Sequence, residues 1–255
     1  MNKIILTEYE KGIVEIKLNR PATYNAVDFD MMDELHISLK KLHDTKDIRA
    51  IMITGEGDRA FCSGGDVNAF EQLKTKEEAY DMLSKMGEVL YQILMLPIPT
   101  FALINGIALG GGCEIATACD VRIAKQGAEI GFIQGNLAIT TGWGGATLLH
   151  EKMPYDKAMS LLLSAKRISV EEAHSLEFIQ KIVEESTYRT EAIQFILNSL
   201  VEYPLVLRAY KSVKIDQWQQ TGLLSRMKLE INRCAELWEM ENHHNAVSRF
   251  VNRKK

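Results

Sequence analysis

Apolar positions along this chain switch repeatedly between the two-residue period of strands and the 3.6-residue period of helices. The runs "KIILTEY" and "GIVEIKLN", separated by "EKG", predict a hairpin ahead of the turn-forming "NRPATYNA". From about Asp28 to His43, the residues Met31, Met32, Leu35, Leu39 and Leu42 fall at helical spacing, and "IRAIMITG" follows as a buried strand. The order repeats: a glycine-bearing loop "GEGDRAFCSGGD", a long helix from about Lys76 to Leu96, a strand at "PTFALIN", a helix opening on three glycines, and a short strand "VRIAK". Strands alternating with helices predict a largely parallel sheet covered by helices. From Tyr155 onward the pattern is almost wholly helical, with room for a short strand at "IQKIV". No linker rich in Pro, Gly or Ser divides the chain. The expected organisation is an α/β core over residues 1–190 and a helical region over 191–255, packed on the core or on a neighbouring subunit.

Composition narrows the function classes. A chain of 255 residues with 46% apolar and 25% charged content buries a full-sized core without staples. A net charge of -4 argues against a nucleic-acid surface, and there is no lysine-rich stripe. The one dense basic run, the terminal "NRKK", reads equally as a solvated tail or as a contact with an anionic ligand. Cys62, Cys113, Cys119 and Cys234 lack CxxC spacing and no signal-peptide pattern precedes them, so reduced thiols in a cytoplasmic protein are expected, and no metal site. The most apolar window, "MLPIPTFALI", is ten residues with two prolines. A membrane span needs roughly 20.

The chemistry concentrates in two glycine loops. In "INGIALGGGCEIATACD", Gly110, Gly111 and Gly112 stand directly before Cys113 and Glu114 at a predicted helix start. Glycine inside a helix costs about 0.5 to 1 kcal/mol relative to alanine, so such a run marks close backbone approach or positive φ. A helix N-terminus also offers unpaired N–H groups and partial positive charge, which together make an anion site. A second pair, Gly64 and Gly65, lies in "AFCSGGD". One backbone N–H from each loop can converge on a single oxygen. Neither loop fits GxxxxGK[ST] or GxGxxG, which sets aside nucleotide phosphate loops. From the residues alone, tight turns and close helix packing remain an open reading of these glycines.

Five ordered segments settle a resemblance: "IKLNRPATYNA", "AIMITGEGDRAFCSGGDV", "INGIALGGGCEIATACDVRIA", "GWGG" and "SAKRISVEEAHSLEFIQKIV". Together, over nearly the whole chain, they resemble the enoyl-CoA hydratase/isomerase, or crotonase, superfamily. The resemblance implies a spiral of repeated ββα units with a helical C-terminal trimerisation region, homotrimers or dimers of trimers, and an acyl-CoA thioester as substrate. Coenzyme A would then be part of the substrate, with no separate cofactor. It also implies an oxyanion hole for the thioester carbonyl, whose two donors map onto the backbone N–H groups of Gly65 and Gly111. Two such donors stabilise an enolate where its charge develops, each worth about 3 to 4 kcal/mol of barrier.

The chain departs from the hydratase pattern in its acid pair and in "WGG", where hydratases tend to carry glycine-alanine-glycine. Hydratases of the family use two glutamates; the first is present as Glu114, but the second falls at residue 134, which is Gln134. Glutamine can hold a water but exchanges no proton near neutral pH. Double-bond isomerases of the family keep the second acid and lose the first, the reverse of this chain. Glu114 alone, with "WGG", resembles the decarboxylases of ethylmalonyl-CoA and methylmalonyl-CoA, where loss of carbon dioxide itself makes the enolate and one acid suffices. Burial would raise the pKa of Glu114 and suit it to that task, although a glutamate early in a helix is also stabilised by the macrodipole alone. Gln134 is either a polar contact to substrate or a bystander, and Trp143 either walls the acyl pocket or is ordinary core.

For coenzyme A, the resemblance points to Asp66, Val67 and Asn68 along the pantetheine arm, the turn at Ala26 near the adenine, and Phe250 and Lys254 in the tail, where an amphipathic helix end is the plain alternative. Glu177 stands where the family often has glycine, so the local turn there is expected to differ. His150, His174 and the pair His243 and His244 show no triad or metal spacing. Three functions stay open: a decarboxylating lyase using Glu114 alone, an enoyl-CoA hydratase in which Gln134 positions water, and a non-catalytic acyl-CoA-binding protein.

Overall fold

The hairpin forms where the alternation predicts it. In the computed structural model, which describes residues 2–252, strand β1 (Ile4–Tyr9) pairs antiparallel with β2 (Ile13–Leu18), Ile4 opposite Leu18. Helix α1 (Phe29–His43) opens on Asp28, whose side chain accepts from Met31 N, and buries the five apolar residues of its stripe. Strand β3 (Ala50–Gly55) then lies parallel to β2.

Three successive turns of chain repeat one plan. β3 leads into the short β4 (Ala60–Cys62), then the single turn α2 (Val67–Phe70) and the long α3 (Lys76–Met95), which starts on a Thr75/Glu78 capping box. β5 (Thr100–Ile104) leads into β6 (Ile107–Leu109) and α4 (Gly111–Ala118). β7 (Val121–Lys125) leads into β8 (Glu129–Gly131), a 3-10 turn at Ile133–Leu137, and α5 (Gly145–Lys152). The remaining chain adds α6 (Tyr155–Ser164), β9 (Ile168–Ser169), α7 (Val170–Ser175), β10 (Lys181–Val183), α8 (Tyr188–Ser199), α9 (Pro204–Gln220), α10 (Leu223–Trp238) and α11 (Glu241–Asn252).

The long strands build one six-stranded sheet, β1-β2-β3-β5-β7-β10, parallel except at the hairpin. The short strands build a second sheet, β4-β6-β8-β9, which the hydrophobic pattern does not predict. Each repeat therefore contributes one strand to each sheet and a helical segment after them, the ββα spiral. One face of the large sheet packs under α8 through Ile13, Met52, Phe101, Leu103, Ala192 and Ile196. The main core runs without a break from α1 through α3 and α4 to Met227, Ile231, Cys234 and Ala235 of α10. The positive φ of Glu177 (66°) shows a left-handed turn at that position even without glycine.

Helix α4 is buried along its whole length. Its far end is closed by Lys152, whose Nζ donates to the carbonyls of Thr117 (2.7 Å), Ala118 (3.1 Å) and Cys119 (2.7 Å). Burial draws the Lys152 amine down to about 7, opposed by the charge of Asp120. At its near end, a Cβ on Gly112 would collide with the Cys62 carbonyl oxygen of the neighbouring glycine loop. Backbone cannot move aside as a flexible side chain can, so Gly112→Ala is expected to cost at least ~2 kcal/mol in chemical denaturation. Gly127→Ala faces open space at φ +78° and is expected to cost only the left-handed penalty of roughly 1 kcal/mol. Equal losses would contradict the packing account.

Candidate active site

The two glycine loops meet at one end of a cavity of about 700 Å³. The position of a Cβ on Gly64 is 3.1 Å from the amide nitrogen of Gly111, so the loops touch through backbone. The first loop is held by a parallel bridge, with Val27 N donating to Gly64 O and Asp66 N to Val27 O, both 2.8 Å. Arg20 braces it further, its guanidinium 2.9 Å from the Asp66 carboxylate and 3.2 Å from that of Asp28. The second loop turns at Gly110, whose φ of 54° with ψ of -116° is open essentially only to glycine. Among the described residues, neither the Gly65 nor the Gly111 N–H donates a hydrogen bond to a protein group.

Glu114 sits one turn into α4 and lines the same cavity, 2% exposed. Its Oε1 accepts from Gln134 Nε2 (2.9 Å) and Gly142 N (3.2 Å), and its Oε2 from Trp143 N (2.9 Å) and Gly145 N (2.8 Å). Burial pushes this carboxyl up to about 7 and the nearby Glu230 carboxylate adds to the rise, while the amides of Trp143, Gly145 and Gly142 pull it back. Gly145 has no side chain because one would strike the Glu114 carboxylate. The Trp143 ring occupies the space of a Cβ on Gly111 and lines the cavity, so it is both pocket wall and core.

The loop that grips Glu114 is itself gripped from behind. Glu230 of α10 accepts from Thr141 Oγ1 (2.6 Å) and Ala146 N (3.0 Å) on one oxygen, and from Thr147 N (2.6 Å) and Thr147 Oγ1 (2.5 Å) on the other. The stretch from 141 to 147 thus spends its donors on two buried carboxylates that approach the start of α5 from opposite sides. Sequence reasoning missed Glu230. The available signal was an acid at 230 on the buried stripe Met227, Ile231 and Cys234 of α10.

Of the residues singled out in the sequence, the fold brings Gly65, Gly111, Glu114, Gln134, Val67 and Phe250 to the lining of this one cavity. Ala26, Asp66 and Asn68 are not on its lining. The Ala26 carbonyl accepts from Arg20 Nη1 (2.6 Å), and the Asp66 carboxylate caps α2 through Asn68 N (3.2 Å) besides meeting Arg20. Lys254 lies outside the described residues. The cavity also reaches Lys74, Arg167 and Arg249, none of which the sequence had singled out as a site residue. His243 of α11 is buried against the Trp238 ring, 4.5 Å between centroids, and its Nδ1 is 2.7 Å from Leu137 O; burial lowers its pKa. Among the described residues no cluster of three His, Cys, Asp or Glu has metal-ligand geometry, and no helix is long and apolar enough to cross a membrane.

A ββα spiral with two glycine loops meeting beside a buried glutamate is the arrangement of the crotonase fold. The enoyl-CoA hydratase/isomerase family model matches residues 8–255, and the chain belongs to that family. It is 28% identical over 256 residues to a short-chain-enoyl-CoA hydratase of Clostridium acetobutylicum, covering 100% of this chain and 97% of that protein. It is 34% identical over 235 residues to an ethylmalonyl-CoA decarboxylase of Xenopus laevis, covering 91% and 78%. In fold it resembles the crystal structure of an enoyl-CoA hydratase from Bacillus halodurans, with a TM-score of 0.88 at 23% identity over 97% and 99% of the two chains. The chain is thus a crotonase-superfamily member whose relatives include both hydratases and decarboxylases.

The raised carboxyl has a consequence for stability. An acid whose folded pKa lies above its ordinary value of 4.5 favours the folded state fully below that value and loses the contribution as pH rises through about 7. The stability of the protein relative to Glu114→Gln is therefore expected to fall between pH 5 and pH 8.5, by up to ~3 kcal/mol, in parallel urea titrations. A difference that stays flat with pH would mean that Glu114 remains ionised throughout.

Proposed function

We propose that this protein is a lyase that decarboxylates a short 2-carboxyacyl-CoA, with Glu114 as its single acid. The observation that carries this reading is the direct bond from the Gln134 amide to Glu114 at 2.9 Å. The amide takes the place of a second carboxylate, and Glu114 is left as the one buried acid among the described lining residues.

The reaction then runs with few parts. The thioester oxygen accepts from the N–H groups of Gly65 and Gly111, at the positive end of α4. The bond between the α-carbon and the substrate carboxylate breaks, carbon dioxide leaves, and the electron pair forms the enolate. The proton on Glu114 passes to the α-carbon, giving the acyl-CoA, and Glu114 regains a proton from solvent, so one proton is consumed per turnover. Trp143 bounds the acyl group. The pantetheine arm passes Val67, and the nucleotide reaches Phe250 and the tail containing Lys254, with Lys74, Arg167 and Arg249 for its phosphates. Asp66, with its carboxylate committed to Arg20, contributes backbone only; Ala26 and Asn68 flank the same loop.

Copies of the chain associate, in this reading, as homotrimers or dimers of trimers through α9 and its N-cap Tyr203, where Tyr203, Val206, Tyr210 and Val213 form an apolar stripe at heptad spacing with Tyr210 75% exposed. Tyr210→Asp is expected to shift the sedimentation coefficient toward that of a 28.8 kDa monomer; an unchanged value would remove α9 from the interface.

Release of carbon dioxide from ethylmalonyl-CoA and methylmalonyl-CoA, set beside hydration of crotonyl-CoA, tests the activity. Glu114→Gln is expected to lower decarboxylation at least ~100-fold. In the unaltered protein, kcat/KM should fall about tenfold per pH unit above roughly pH 7, as the acid loses its proton. Hydration of crotonyl-CoA faster than either decarboxylation would overturn the reading and assign to Gln134 the holding of a water.

A further inference from the structure

Gln134 Nε2 is spent on Glu114, and the Oε1 of the same amide is buried with no hydrogen-bond partner. A buried carbonyl oxygen left unpaired costs free energy, so the amide is half satisfied until something else arrives. It stands beside the proposed oxyanion hole, its Cδ and Nε2 3.7 and 3.8 Å from the position of a Cβ on Gly110, and the residue lines the cavity.

The state of Glu114 dictates which way this amide faces. An ionised carboxylate accepts only, so Gln134 must turn Nε2 toward it and leave its oxygen unpaired. A protonated Glu114 has an O–H to donate, for which Oε1 is the right partner. The terminal torsion of glutamine is broad and two-fold, so a half turn exchanges the two ends. Nε2 then stands where the unpaired oxygen stood, as a donor.

We propose that Gln134 is a specificity-determining residue whose amide turns with the proton on Glu114, so that the pocket admits a substrate carboxylate only together with one proton. This rests on the decarboxylase reading for the identity of the carboxylate. With Glu114 ionised, an incoming carboxylate meets a like charge and a lone acceptor; with Glu114 protonated, it meets a neutral acid and an N–H donor. The other ionisable groups facing Glu114 favour the protonated state or leave it alone. Glu230 on α10 repels its charge, and the Cys113 thiol of α4 and the Cys234 thiol of α10 are held neutral by burial. The N–H groups of Gly142, Trp143 and Gly145 oppose protonation, which keeps the two states close in energy. The proton brought in with the carboxylate is the one that the α-carbon takes after carbon dioxide leaves.

The test uses two coenzyme A thioethers that cannot react, one with a 2-carboxyalkyl chain and one with the same chain lacking the carboxylate. Calorimetry at pH 8 in buffers of different ionisation enthalpy counts the protons bound. Uptake approaching one proton is expected for the carboxylate ligand and near zero for the plain one, with affinity for the former falling about tenfold per pH unit above roughly pH 7. Gln134→Met is expected to reduce the preference for the carboxylate ligand at pH 6 about tenfold, as one charge-assisted hydrogen bond is lost, and to leave the plain ligand within about twofold. The plain ligand thereby reports whether the variant is folded, and the calorimetry on the unaltered protein stands without it. Equal proton uptake for both ligands, or an unchanged preference in Gln134→Met, overturns the proposal. Proton-linked carboxylate binding in a protein that hydrates crotonyl-CoA would leave this inference standing and sink the decarboxylase reading alone.

Discussion

The organising constraint of this molecule is the burial of one carboxylate. Glu114 is 2% exposed, and a charge so placed is tolerated only with a full set of donors around it. Three of its four donors are backbone N–H groups from residues 142 to 145, where the chain bends into α5, and the fourth is the Gln134 amide. That demand explains local features that would otherwise look unrelated. Gly145 is bare because the carboxylate lies against it, and Gly144 takes a φ of 93° so that its neighbours can aim their N–H groups inward. Glu230 draws the next amides outward, so the bend is stretched between two acids and has a single conformation that satisfies both.

The same helix that carries Glu114 is fixed at both ends by long-range contacts. Lys152 closes its last carbonyls, and the Asp120 carboxylate just beyond bonds Thr100 N (2.8 Å) at the start of β5 and pairs with Lys211 of α9. The C-terminal helices therefore serve the site without supplying most of its chemistry: α9 anchors the end of α4, α10 braces the loop behind Glu114, and α11 lines the far part of the cavity. A rigid α4 keeps its N-terminal amides aimed in one direction, which is what preorganised stabilisation of developing charge requires.

Much of this was legible in the sequence because it is local. The stripe Met31, Met32, Leu35, Leu39, Leu42 predicts α1, the run "IRAIMITG" predicts β3, and the three glycines before Glu114 mark the start of α4. The second sheet was not, since β4, β6 and β8 are three residues each and β9 two, too short to express a period. Glycine loops announce close backbone approach but not what approaches, so the contacts of Gly111 with Trp143 and of Gly112 with Cys62 are facts of tertiary packing. Glu230 is the clearest loss: 116 residues of chain separate it from Glu114, and only the fold brings both to one bend. For coenzyme A, the resemblance singled out Ala26, Asp66 and Asn68; in the structure the Ala26 carbonyl and the Asp66 carboxylate both accept from Arg20, and for Asp66 that partner lies 46 residues away, beyond the reach of any local pattern.

The indole of Trp143 fills the space that any side chain at position 111 would need, and the same indole walls the pocket. Positions 111 and 143 consequently form one mutational unit, in which the order of change matters. A smaller residue at 143 opens room both in the cavity and for a methyl group at 111. Alanine at 111 with the indole still in place has nowhere to go. Any path by which this scaffold drifts toward bulkier substrates runs through the ring first and the glycine second, and once the glycine is replaced the ring cannot return.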